Sequence, residues 1–193
     1  MHSRIVGITT GNMVFRTTWH NNVTTPIPSD IDAESLVGLL HDHGFVITMS
    51  PIVTRYELRE RDSETGRVTY DVWENIDLLP FGLWKHEIQF TTAFTDKRDG
   101  VVTWIEAALG FTSQANYTVR PVNETDDQDS GWVLEEAIES SASIVLKWFI
   151  EGTLVPVRKK MHAQMIETVR EREKSARESR ESGASSRPVG NFF

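Results

Sequence analysis

Cysteine is absent from all 193 residues. That excludes a disulfide framework, a thiolate nucleophile and a thiolate metal site, and it fits a reducing compartment, so the cytoplasm is expected. Basic charge is also scarce: 20 Lys and Arg stand against 28 Asp and Glu, a formal net charge of −8. Binding nucleic acid or an anionic membrane requires a basic surface to meet phosphates, so the composition points away from both. Long apolar runs are missing too. The opening "MHSRIVGITTGNMVF" has one early arginine but no signal core, and no later window approaches a membrane span. The common catalytic signatures are equally absent: no G-x-S-x-G elbow, no phosphate-binding loop, no dinucleotide fingerprint and no H-E-x-x-H. No cofactor and no metal are therefore expected. What remains is a chain of single-domain length with 39% apolar residues, enough for a full hydrophobic core.

The apolar residues are arranged with clear periods. Phe15, Thr17 and Trp19 alternate with Arg16, Thr18 and His20, which predicts a half-buried strand over 13–23. Ser29 or Asp30 then caps a helix through "IDAESLVGLLHDH", with Gly44 as its stop. His41 and His43 fall in its last turn, where they suit the helix dipole. Two residues apart they point about 200° apart and cannot share a metal. Six strand-like runs follow at hairpin spacing, 52–62, 67–76, 85–96, 101–109, 111–122 and 132–139, which read as an antiparallel meander. The last pattern, from Ser140 to about Arg172, has helical spacing through Trp148, Phe149, Leu154, Val157, Met161, Met165 and Val169, and Pro156 predicts a kink or short break in it. The polar remainder, 173–193, reads as a disordered tail, and 1–12 as a flexible N-terminus. This order predicts an α+β helix-grip fold over 13–172, a curved antiparallel sheet of about seven strands wrapped around the long C-terminal helix. A cavity is expected inside, because one helix rarely fills a strongly curved sheet.

Three stretches, "YDVWENIDLLPFG" (70–82), "EIQFTTAFTD" (87–96) and "VRKKMHAQM" (157–165), resemble the START-like (SRPBCC) superfamily, and more closely a fungal START-like domain family of unknown function. The resemblance implies a domain that binds a hydrophobic small molecule. Members of the superfamily include lipid carriers, polyketide aromatases and cyclases, and hormone receptors. No catalytic motif is carried over by it.

Candidate site residues come from the strand pattern, taking the more apolar register of each strand as inward. The binding wall is then Phe15, Trp19, Tyr56, Phe90, Thr92, Phe94, Trp104, Tyr117, Trp132 and, from the helix, Phe149. In 67–76 the face bearing Tyr70, Val72 and Glu74 competes with Asp71 and Trp73, and the first is taken as inward. Candidates for proton chemistry are Glu106, His86 and Tyr70. Glu106 follows Val102 and Trp104 on one face. Enclosed, it would have a raised pKa and serve as an acid or base; at the sheet's open end it would simply be solvated. His86 is either a proton-transfer group or a satisfied edge residue. The turn "LLPFGLW" (78–84) is almost wholly apolar, which suits either packing on the helix or a lid formed by Phe81, Leu83 and Trp84.

Three functions fit such a chain. The first is a cofactor-independent cyclase or isomerase, with a pericyclase of Diels–Alder type as one form of it, acting on a hydrophobic polyketide or terpenoid intermediate in fungal secondary metabolism. A rigid aromatic mould serves that chemistry without a strict motif. The second is a non-catalytic carrier or sensor of a lipid or metabolite, and the third an interaction module using the apolar turn. A monomer or homodimer is expected.

Overall fold

The computed structural model describes residues 16–77, 85–107, 110–123 and 131–185. In chain order they form β1 (Arg16–Ile27), α1 (Ala33–Leu40), α2 (His43–Thr48), β2 (Val53–Arg61), β3 (Val68–Asp77), β4 (Lys85–Lys97), β5 (Gly100–Glu106), β6 (Thr112–Pro121), β7 (Trp132–Ser143) and α3 (Ile144–Ser185). The strands make one antiparallel sheet in the order β1-β7-β6-β5-β4-β3-β2. β2 to β7 pair as a meander, while β1 crosses to the far side and pairs along its whole length with β7, from Arg16 opposite Ser143 to Ile27 opposite Trp132. The curved sheet with the long C-terminal helix on its inner face is a helix-grip fold.

Local chemistry explains the element boundaries. Asp32 caps α1, its carboxylate accepting the Ser35 N–H at 2.8 Å. The expected caps do other work: Asp30 pairs with Arg170 of α3 at 3.0 Å. The single helix expected through residue 43 is in fact two, because Asp42 accepts the Phe45 N–H at 3.1 Å and starts α2. His41 therefore closes α1, at the C-terminal end expected of it, whereas His43 opens α2 and lies at the end opposite to the one expected. His41 Nε2–H is shared between the carbonyls of Lys97 (3.0 Å) and Gly100 (2.9 Å), fastening α1 to the β4–β5 turn. Gly100 is required there, since a Cβ would lie 2.0 Å from the Tyr117 carbonyl oxygen.

The C-terminal helix also differs from expectation. Ser140 to Ser143 continue β7, so α3 starts at Ile144. It then runs through Pro156 without a break in its assignment and reaches Ser185, so residues 173–185, read as tail, are helical. Glu173 accepts the Asp32 backbone N–H at 3.2 Å. The segments 1–12 and 186–193 lie outside the described residues.

The sheet's two sides of the inner face are filled differently. Under the middle of α3, Leu134 and Ile138 of β7 and Met165 and Val169 of α3 are buried together with Leu36, Leu39 and Leu40 of α1, and Val23 of β1 is buried as well. At the opposite edge, β2 is exposed almost throughout, and Tyr56 and Leu58 remain 40% and 52% accessible. Its pairing with β3 is interrupted by register shifts near Thr54 and Arg59. Bulges and alternating charge of this kind discourage another strand from adding to an open edge.

Candidate functional site

A cavity of about 280 Å³ lies between α3, α2 and the inner face of β3 to β6. Most of its wall is apolar: Val46 and Ile47 from α2, Val72, Phe90 and Phe94 from β3 and β4, Leu154, Val157 and Met161 from α3. Six polar side chains join them, Ser50, Glu74, Thr92, Thr103, Tyr117 and Arg158. A wider groove of about 1350 Å³, bordered by Pro26, Asp32, Arg98, Trp132, Glu173 and Arg177, opens to solvent at another end of the molecule. Convergent polar groups in an apolar enclosure favour the inner cavity as the site.

The strand period brings part of this wall together. Phe90, Thr92, Phe94 and Tyr117 line the cavity as their alternation predicts. In β3 the inward face is that of Tyr70, Val72 and Glu74, with Tyr70 and Val72 buried and Glu74 in the cavity wall. Tyr70 itself is not a lining residue. Its hydroxyl bonds to His43 Nδ1 at 3.3 Å, while His43 Nε2 meets Asp96 at 2.9 Å and its ring stacks on Phe94. Burial pushes the Tyr70 phenol up, so it is held as a donor in that contact.

Other candidates fall elsewhere. In β5 the buried register is Val101, Thr103 and Ile105, so Trp104 and Glu106 point to the outer face. There Trp104 lies under the guanidinium of Arg67, 4.6 Å from its ring centre, and covers the outward-facing Ala93. Glu106 is exposed in the same shallow outer groove and is not a cavity acid. The cause is that both faces of β5 carry apolar residues and the larger one packs against arginine outside. Trp19 is buried on the inner face of β1 but is not part of the cavity wall. Tyr56 stands half exposed beside Tyr70 at the β2 edge, and Trp132 borders the open groove instead. Phe15 and the turn residues Phe81, Leu83 and Trp84 lie outside the described residues, as do the side chains of His86 and Phe149.

Sequence reasoning missed the strongest polar feature. Behind the cavity wall, Glu136 of β7 and His162 of α3 are both 0% accessible. His162 Nε2–H donates to Glu136 Oε2 at 3.1 Å, and its Nδ1 shares a hydrogen bond with the Thr25 hydroxyl at 2.9 Å, so both ring nitrogens are engaged. Glu136 Oε1 faces Arg158 Nη1 at 3.4 Å. The same Arg158 nitrogen donates to the Tyr117 hydroxyl oxygen at 2.9 Å. The five residues form one chain, Thr25–His162–Glu136–Arg158–Tyr117, whose last two members reach the cavity. The signal was present: Trp132 was read as inward, and the same period continues through Leu134 to Glu136 and Ile138. His162 lies in the "VRKKMHAQM" stretch.

Electrostatics separates these groups. Burial pushes the Tyr117 phenol far above its usual value, and the Glu136 carboxylate adds to that, so Tyr117 keeps its proton. Arg158 loses hydration, which opposes its charge, but Tyr117 and Glu136 outweigh this and hold it cationic. Glu74 is raised by burial, and one hydrogen bond from Ser50 at 3.1 Å opposes the rise only in part. It is thus a stronger base than an exposed carboxylate, in contact with the cavity. Among the described residues, no three His, Asp or Glu side chains converge to hold a metal ion. No helix among them is long and apolar enough to cross a membrane.

The chain belongs to the DUF7053 family, a domain of unknown function, whose model matches residues 16–171. No curated protein matches it. Solved structures sharing its fold include the di-domain ARO/CYC StfQ from the steffimycin biosynthetic pathway, 13% identical with a TM-score of 0.53 over 83% of this chain and 52% of that one. The chain thus spans about half the length of that protein. A norcoclaurine synthase point mutant from Thalictrum flavum, in complex with a transition state analogue, is 16% identical with a TM-score of 0.51, over 82% of this chain and 97% of that one. The same plant's synthase with dopamine and hydroxybenzaldehyde gives 13% and 0.50, over 87% and 96%.

Proposed function

We propose that this DUF7053 domain binds a hydrophobic carbonyl compound in its inner cavity and catalyses a cofactor-independent isomerisation or cyclisation. The supporting observation is the pairing, in one apolar wall, of a carboxyl with a raised pKa and a pair of fixed donors: Glu74 on one side, Arg158 and Tyr117 on the other. Glu74 takes a proton from the carbon beside the carbonyl, and the electrons of that C–H bond move into an enolate. The enolate oxygen faces the Arg158 guanidinium and the Tyr117 hydroxyl, donors already in position before charge develops. In a substrate with a carbon–carbon double bond one carbon further out, the enolate is a dienolate, and return of the proton to its far carbon moves that double bond into conjugation with the carbonyl, with no oxidation and no leaving group. A pericyclic closure of Diels–Alder type would use the same mould without Glu74. Placing the substrate among polyketide or terpenoid intermediates of fungal secondary metabolism rests on the sequence resemblance.

A carrier or sensor is the second reading. It is favoured by Arg158 and Tyr117 being already engaged with Glu136, which suits a wall that binds and releases without chemistry.

Hydrogen–deuterium exchange tests these readings. Incubated in D2O with 2-decanone, the protein should accelerate exchange beside the carbonyl, and Glu74→Gln should slow it by roughly a hundredfold or more. Binding without accelerated exchange selects the carrier. Exchange that is unchanged in Glu74→Gln overturns the role of Glu74.

A further inference from the structure

The cation at the inner end of the cavity already has a counter-charge. Among the described residues of the wall Arg158 is the one permanent cation, and Glu136, fully buried behind it, is the matching anion at 3.4 Å. Both oxygens of Glu136 have a cationic or N–H neighbour, Arg158 on Oε1 and His162 on Oε2. Both ring nitrogens of His162 are engaged, with Thr25 and with Glu136, and Tyr117 retains its proton. The remaining ionisable wall residue, Glu74, adds negative charge whenever it ionises and never positive charge. An apolar enclosure penalises any charge without a partner far more than water does.

We infer that the cavity selects uncharged ligands: the Glu136 counter-charge behind Arg158 makes the donor end fit for a ketone, aldehyde or ester oxygen and unfit for a carboxylate. An arginine at the end of an apolar pocket would by itself suggest a fatty-acid-like anion as the ligand. Here the guanidinium offers its N–H groups as hydrogen-bond donors while its charge is already matched. A ligand carboxylate would bring a second anion beside Glu136 and share one cation with it. A neutral carbonyl takes the Arg158 and Tyr117 donors without disturbing the pair. Glu136 is thus the specificity-determining residue, although it does not touch the cavity.

This inference rests on the hydrophobic-ligand reading above, and one titration separates the two. Affinities of the full chain for 2-decanone and for decanoate are measured at pH 8, where decanoate is ionised, by displacement of an uncharged polarity-sensitive dye. Wild type should bind the ketone at least tenfold more tightly than the anion. Glu136→Gln, which keeps the shape and removes the counter-charge, should shift that ratio toward decanoate by tenfold or more. Should Glu136→Gln fail to fold, the double variant Glu136→Gln with Arg158→Met, which removes both charges, should keep the preference against decanoate within about threefold of wild type. Decanoate binding to wild type as tightly as the ketone, or a double variant that admits the anion, overturns the inference while leaving a hydrophobic-ligand site in place. Binding of neither ligand by wild type removes the site reading itself, and this inference with it.

Discussion

The two halves of the inner face solve the same packing problem in opposite ways. Where β1 and β7 meet the middle of α3, the packing is closed by apolar side chains, and Glu136 and His162, both enclosed there, are held by Thr25, by Arg158 and by each other. Where β3 to β6 curve away toward α2, the helix does not reach the sheet and the cavity remains. Its carboxyl, Glu74, accepts from the Ser50 hydroxyl and, among the described residues, has no cation to pair with. Full burial is tolerated by a charge only when it is paired, whereas partial burial beside a cavity leaves a carboxyl destabilised in its ionised form and chemically useful.

Substitutions can break this contrast, beginning with the pair itself. Glu136→Ala should lower unfolding free energy by about 3–5 kcal/mol, because it strands Arg158 and His162 in an apolar interior. Denaturant titration would measure this, and a loss below about 1 kcal/mol would show that water reaches the cluster and that the closed half is not closed. Next, Leu134→Ala, at a site with 0% accessibility, should cost about 2–5 kcal/mol. Phe90→Ala removes a larger side chain, yet it should cost less, since Phe90 already borders empty space and is only partly buried. The same change should weaken ketone binding. Equal stability losses would mean that the cavity side is as tightly filled as the other.

The smallest effect concerns pH. The Glu74 carboxyl is raised above its ordinary 4.5 in the folded chain by burial, so the native state holds the proton more tightly than the unfolded state. Its contribution is fully present below the ordinary value and is lost as pH rises through the raised one. Glu74→Gln, unable to ionise, should therefore be slightly more stable than wild type at pH 7, with the difference shrinking as pH falls toward 4. Thermal melts across pH 4–8 would show it. An advantage that grows in acid would contradict the sign of the shift.

These contrasts also mark what the sequence made legible. Strand periods were readable wherever one face is polar: Thr17 and Trp19 in β1, or Ser113, Ala115 and Tyr117 in β6, turn inward as alternation requires. In β5, Val101 and Ile105 on one face compete with Val102 and Trp104 on the other, and hydrophobicity alone could not choose between them. The deciding contact, Arg67 on Trp104, comes from a neighbouring hairpin. Glu136 was hidden by a sound general rule, since carboxylates are seldom buried. Its exception requires partners 22 and 26 residues away on α3 that no local pattern reveals. The split of α1 from α2 was legible in principle, because Asp42 in "HDHG" is a second cap.

The pairing of β1 with β7 carries a consequence for how the chain is made. Among the described strands β1 is made first, and the strand it pairs with is at residues 132–143, almost at the end of the sheet sequence. The β2–β6 hairpins can close on near neighbours as they appear, but Trp19, Val23 and Ile27 must wait for β7, and their cover in α3 comes later still. Long-range closure of this kind is slow and leaves an apolar strand unprotected in the meantime. A nascent chain stalled before residue 132 would display β1 as an unpaired sticky segment, the form of this protein on which a chaperone would be expected to act.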